Sequence, residues 1–155
     1  MKIGFSGTQY GMTGPQQAAV FLTIDRLAAE VELHHGDCVG ADAEMHEQAR
    51  RLRFRVVIHP PADPKKRAFC RDADEVRPER PYLERNQAIV DACDVLIAAP
   101  AGVRPVMRSG TWSTIRRAEK KGIPIFAYGP DGSRLSLDPP PVSATITTMK
   151  SGGHA

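Results

Sequence analysis

The sequence predicts an α/β protein: a three-layer α/β/α sandwich on a mostly parallel sheet of five or more strands. Three observations carry this. Short apolar runs alternate with amphipathic stretches of helical period from Lys2 to Tyr128, the pattern that right-handed crossovers turn into a parallel sheet. Val95-Leu96-Ile97-Ala98-Ala99 is apolar without a break, as a strand covered on both faces is. Glycine-bearing loops follow the first, second and fourth runs. In a parallel sheet all three emerge at one edge, where ligands of such sheets sit.

The elements follow in order. Lys2 to Ser6 reads as a first strand, and the loop Gly7 to Pro15 leads into a helix with Val20, Ile24 and Leu27 on one face. Pro15 fits the first helical turn, where its missing N–H costs nothing. Val31 to His35 is a second strand. Gly36-Asp37-Cys38-Val39-Gly40-Ala41-Asp42 is the loop after it, with Asp42 expected as the N-cap of a helix reaching about Leu52. Met45, Ala49 and Leu52 are expected on that helix's buried face. Phe54 to Ile58 is a third strand, and residues 60–81, with five prolines and no clear period, read as a long loop that is functional or mobile. A helix from Tyr82, the strand at 95–99, a helix opened by Ser109-Gly110-Thr111 and a fifth strand over Ile123 to Tyr128 complete the pattern. Gly122 suits a C-cap, and Lys120 and Lys121 suit the negative helix end. Residues 142–149 alternate as an added edge strand would, and 151–155 read as a frayed tail on a single domain spanning 1–150.

The 155 residues suffice for one core burying roughly 70% of the unfolded surface. No apolar run approaches the roughly 20 residues of a membrane span. The polar turn after Phe5 is unlike a signal peptide, and three cysteines without metal-type spacing suit a reducing compartment, so a cytoplasmic location is expected. Charge is uneven: residues 1–49 carry two basic residues against seven acidic, and the remainder 19 against 11. Basic clusters at 50–55, 65–71 and 116–121 could follow a nucleic-acid backbone or simply solvate a surface.

The chemistry concentrates at the loops. Ser109-Gly110-Thr111 at a helix start offers free N–H groups, hydroxyls and the positive end of the helix dipole, which suits a phosphate. Glu84-Arg85-Asn86 could face the same corner, with Pro100 beside it and Trp112 either stacking on a base or packing its helix. Gly7, Thr8, Gly36, Asp37, Gly40 and Asp42 complete the expected ligand-binding set. The first loop has neither the G-x-G-x-x-G nor the G-x-x-x-x-G-K-[ST] pattern. His35, Cys38 and His46 match no standard zinc spacing, so no metal is expected and His46 reads as a hydrogen-bonded structural residue.

These residues also carry a resemblance. GDCVGADAEMHEQA resembles the glycine-rich loop and Ala-His helix of the DNA-processing protein A (Smf) family. RNQAIV, VLIAAPAG and SGTWSTIRRAEKKGIPIFAYGPDG resemble that family's second half. The layout is similar to the Lonely Guy phosphoribohydrolases, which share the superfamily called SLOG, and the likeness runs from Gly7 to Gly132. It implies a Rossmann-like nucleotide-binding fold whose members hydrolyse nucleotides, bind single-stranded DNA or sense nucleotide-derived signals. It implies a functional, catalytic role for Arg85, and it places Gly110-Thr111 on the Gly-Thr of the P-G-G-x-G-T-x-x-E motif. The motif's Pro-Gly-Gly is missing here, and its glutamate falls at Thr114.

The expected function is therefore binding of a nucleotide or nucleotide-derived molecule, with phosphate as the anchoring group, by a sensor or carrier domain. Nucleoside 5′-monophosphate hydrolysis at the base–sugar bond and single-stranded nucleic-acid binding are the alternatives. No membrane partner is expected, and a homodimer is one assembly open to such a chain.

Overall fold

The computed structural model describes residues 1–27 and 30–137. The expectations for 138–155, the added strand over 142–149 and the tail at 151–155, lie outside the described residues. Six strands form one sheet: β1 Lys2–Gly7, β2 Glu32–His35, β3 Arg55–Ile58, β4 Glu75–Val76, β5 Val95–Ala99 and β6 Ile125–Ala127. Their order is β4-β3-β2-β1-β5-β6, and every neighbouring pair is parallel. Four helices connect them: α1 Gly14–Leu27, α2 Ala41–Arg51, α3 Tyr82–Ala92 and α4 Gly110–Lys121.

Two apolar clusters define the layers. Val20 and Ile24 of α1 and Met45 and Ala49 of α2 pack on one face of the sheet, against Ile3, Phe5, Leu33, Val56 and Ile97. Val90 of α3 and Trp112, Ile115 and Ala118 of α4 pack on the other, against Leu96, Ala98, Ile125 and Ala127. Residues of one strand alternate between the clusters, as the period of two demands. The fully buried run at β5 is explained by this double cover. Gly122 ends α4 in the left-handed conformation at φ 81°, as its sequence context predicts. Lys121 Nζ donates to the carbonyls of Val90, Asp91 and Cys93, tying α4 to the end of α3.

Several expectations change. The stretch 60–81 is not wholly loop: it holds a 3₁₀ turn, Pro64–Lys66, and the edge strand β4. The Asp74 carboxylate accepts from the Val56 N–H, and Asp74 N–H donates to the Val56 carbonyl, pinning β4 to β3. The last strand among the described residues is thus the sixth. Leu52 is 40% exposed because it follows the last turn of α2 and leaves the helix face that buries Met45 and Ala49. Asp42 is not the N-cap. Gly40 takes that position with no side-chain cap, and Asp42 lies inside the first turn with its carboxylate turned back to the loop.

Candidate functional site

The chain runs from β1 outward to β4, then crosses back to place β5 on the far side of β1. The C-terminal ends of β1 and β5 therefore diverge, the switch point at which parallel sheets leave room for a ligand. A cleft of about 850 Å³ opens there. Of the predicted residues, Gly7, Thr8, Gly36, Asp42, Arg85, Asn86, Ser109, Gly110, Thr111 and Trp112 line it. Asp37, Gly40 and Pro100 do not, and each has a structural task instead.

Asp37 is fully buried and accepts from Arg67 Nε at 2.9 Å and from the Cys70 N–H at 2.9 Å, clamping the 60–81 segment over the β2–α2 loop. Gly40 has φ 87° and sits so near the β1–α1 loop that an added Cβ would lie 2.4 Å from the Gln9 carbonyl oxygen. The Pro100 carbonyl accepts from Gln16 Nε2 at 2.8 Å. Glu84 is exposed and lies outside the cleft, so only Arg85 and Asn86 of the charged trio reach it.

Arg85 is 5% exposed. Its Nη1 donates to the carbonyl oxygens of Gly36 and His59, its Nε to Asn86 Oδ1 at 3.0 Å, and its Nη2 lies 3.6 Å from Cys38 Sγ. The guanidinium thus braces the β2–α2 loop from beneath as well as lining the cleft. Asp42, 4% exposed, holds the same loop from the other side: one carboxylate oxygen accepts the N–H groups of Gly36 and Cys38, each at 3.2 Å. Its second oxygen, Oδ1, has no hydrogen-bond partner among the described residues. Burial pushes the Asp42 carboxyl up to about 6, against the opposing pull of Arg85 and the two N–H groups. Burial likewise raises the Cys38 thiol.

The opposite wall is the start of α4. Ser109 caps it, its Oγ accepting from the Trp112 N–H at 3.3 Å. The N–H groups of Gly110 and Thr111 are among those no intrahelical carbonyl reaches. Trp112 is 4% exposed in the second apolar cluster, so it packs α4 onto the sheet. Thr114 is fully buried, and its hydroxyl donates to the Gly110 carbonyl at 2.9 Å.

Sequence reasoning left out part of the lining. Lys66, Tyr10, Cys38, Tyr82 and Arg108 line the cleft, as do Arg116, Arg117 and Lys120 along α4. The last three recur at the helical spacing with Ser113, a signal that could have assigned them to one face. Arg116 also holds the loop before α4, donating to the carbonyls of Val106 and Met107.

Beneath the first wall lie two histidine pairs. The Asp37 N–H donates to His35 Nδ1 at 3.0 Å, so the proton of neutral His35 sits on Nε2. That nitrogen is 2.9 Å from His46 Nδ1, and His46 Nε2 donates to the Arg71 carbonyl at 2.6 Å. Burial holds His35 down to about 3, keeping it neutral. His46 is thus the hydrogen-bonded structural residue expected. Donor atoms of His35, His46 and Cys70 lie within 4.8 Å of one another, a grouping that could hold a cation and that includes Cys70 rather than Cys38. The chain of bonds uses all four ring nitrogens, and a metal would have to displace it. The second pair is His34 Nδ1 with His59 Nε2 at 2.8 Å, with His34 Nε2 on Glu32 at 2.7 Å.

No protein-family model and no curated protein matches the sequence. Solved structures match in fold, and the class they define is the Rossmann-like α/β sandwich the SLOG resemblance implied. DNA processing protein A from Streptococcus pneumoniae matches at 23% identity and TM-score 0.62, over 82% of this chain and 50% of that one. The molybdenum cofactor binding protein of Rippkaea orientalis matches at 20% and 0.65, over 83% and 76%. DNA processing protein A from Helicobacter pylori, described for its single-stranded DNA binding mode, matches at 19% and 0.59, over 83% and 65%. The chain spans about half the length of the first of these. No helix among the described residues is long and apolar enough to cross a membrane.

Proposed function

We propose that the cleft binds a nucleotide or nucleotide-derived small molecule, phosphate toward the start of α4, as a sensor or carrier. The observation that carries this is the opening of the α4 N-terminus, with Ser109 and Arg108, into a cleft at the sheet's switch point. Its volume lies in the range of small-molecule sites, about 300–1,000 Å³. The neighbours in fold support it by what their names record: one binds a molybdenum cofactor and one single-stranded DNA.

Binding is favoured over base–sugar hydrolysis by the residue at position 114. Hydrolysis builds positive charge on the sugar, which a carboxylate stabilises, and general acid–base help alone is worth roughly 10²–10⁴-fold. Thr114 is neutral, and its hydroxyl is committed to its own helix. Single-stranded nucleic acid is the second reading, favoured by Arg108, Arg116, Arg117 and Lys120 in the lining. Lys120 follows Gly110 by ten positions, about 15 Å of helix, which spans more than one phosphate.

Calorimetry with nucleoside monophosphates and with a 12-residue oligothymidylate, at 50 and 200 mM salt, separates the two. Saturable mononucleotide binding that weakens only slightly with salt, without release of free base, supports the first reading. Binding of the oligonucleotide alone, falling about tenfold or more over that range because the counterions it releases enter a saltier solution, replaces it with the second. Sustained base release replaces it with the hydrolase.

A further inference from the structure

The side chains beneath the β1–β2 wall of the cleft are almost completely paired. Asp37 holds Arg67 and the Cys70 N–H, Arg85 is spent on carbonyls and Asn86, and His35 and His46 form a directed chain. Asp42 Oδ1 is the exception: among the described residues it is the buried side-chain polar atom left without a partner. Leaving a buried carboxylate oxygen unpaired is costly, and native proteins rarely do it without a reason in function. The other oxygen is fixed by two backbone N–H groups, so the side chain cannot rotate to share the burden without releasing the loop. Asp42 lines the cleft, on the wall opposite the start of α4.

The sign of the group decides what it can meet. A phosphate at Asp42 would oppose two negative charges, so the anionic end of a ligand belongs at the α4 wall. What reaches Asp42 must donate and carry no negative charge. We infer that Asp42 Oδ1 is the cleft's acceptor for a neutral hydrogen-bond donor on the ligand, a sugar hydroxyl or a base N–H, and that it makes the cleft select a nucleoside phosphate over phosphate alone. This rests on the nucleotide reading above. The raised Asp42 carboxyl agrees with it: an ionised oxygen waiting without a donor is the form that burial penalises and an arriving donor restores.

The test is a ligand series on the unaltered protein at pH 7.5, by calorimetry: inorganic phosphate, adenosine monophosphate, its 2′,3′-dideoxy analogue and inosine monophosphate. Adenosine monophosphate is expected to bind more tightly than phosphate. One analogue, the one lacking the donor that meets Asp42, is expected to lose about 10- to 100-fold. Loss with the dideoxy analogue assigns a sugar hydroxyl; loss with inosine monophosphate assigns the base amino group. Asp42→Asn keeps an acceptor for Gly36 and Cys38 but puts an N–H where Oδ1 stood, so it is expected to bind adenosine monophosphate and the penalised analogue alike. If adenosine monophosphate binds and both analogues match it within twofold, or if Asp42→Asn still discriminates, this inference is overturned and the nucleotide reading stands. If no nucleotide binds, both fall together. Because the series needs no variant, an Asp42→Asn protein that fails to fold leaves the test intact.

Discussion

The two walls of the cleft use glycine in opposite ways. On the β1–β2 wall, Gly7, Gly36 and Gly40 are packed. A Cβ at Gly7 would lie 2.5 Å from the Ala41 Cβ, one at Gly36 2.6 Å from Arg85 Nη1, and one at Gly40 2.4 Å from the Gln9 carbonyl oxygen. On the β5–α4 wall, a Cβ at Gly102 or Gly110 would meet nothing within 4 Å. Val103, Val106 and Met107 between them are exposed. The first wall needs its glycines to fold, because loop, helix and guanidinium close on one another. The second leaves its glycines facing open space, where an approaching group rather than the protein sets the size limit. One wall is architecture, and the other is free for recognition.

The sharpest way to break this comparison is Gly40→Ala. The φ of 87° disfavours any side chain, and the new methyl would drive into the Gln9 and Thr8 carbonyls. Because those carbonyls are backbone, relief requires the β1–α1 and β2–α2 loops to separate. A loss of about 3 kcal/mol or more is expected in urea denaturation. A variant within 0.5 kcal/mol of the parent would show that the first wall is no tighter than the second.

Acid sharpens the comparison from another side, because the titrating groups under the first wall are buried. Burial holds His35 and His59 down to about 3, and lowers His34 as well. The folded state therefore binds fewer protons than the unfolded chain below about 6.5, the ordinary histidine value. Their stabilisation is fully present above that pH and is lost as pH falls toward 3. Asp42 runs the other way: raised to about 6, it takes up a proton on folding between there and its ordinary value, offsetting part of the loss. His35 and His59 against Asp42 leave a net loss of about 1.4 kcal/mol per pH unit across that window, and His34 acts in the same direction. Denaturant melts at pH 7 and pH 5 check it. Equal stability at the two pH values would mean that the histidine pairs do not stay neutral in the fold.

The sequence made the open wall more legible than the packed one. Ser109-Gly110-Thr111 and Gly122 are local signals, and capping chemistry within a few residues sets both ends of α4. The apolar run of β5 and the periodic faces of α1 and α4 are likewise local. Asp42 was legible as a helix N-cap and a ligand-binding candidate but not as the brace of the β2–α2 loop, because its partners lie upstream, at Gly36 and Cys38. The role of Arg85 depends on carbonyls 49 and 26 residues away. β4 is two residues long, too short for any period, and is held by Asp74 against Val56, a long-range pairing that no window reveals. Packing across the sheet decides these positions, and packing is what a linear pattern carries least.

The smallest expected change in stability falls on the open wall, at Gly110→Ala. Gly110 is the first residue of α4, is exposed, and has free space where a Cβ would stand. Alanine is the better helix former, by about 1 kcal/mol in a helix interior and less at an end. Stability should therefore stay within about 0.5 kcal/mol of the parent or rise slightly. Binding should not be spared. A phosphate accepting from the first N–H groups of α4 must approach the backbone to about 3 Å, and a methyl on the first residue stands in that approach. Loss of nucleotide affinity without loss of stability, read by calorimetry and urea denaturation on the same preparation, would place recognition on this wall. Undiminished affinity would move the anion elsewhere in the cleft, toward the row of Arg116, Arg117 and Lys120. The two walls would then differ only in packing.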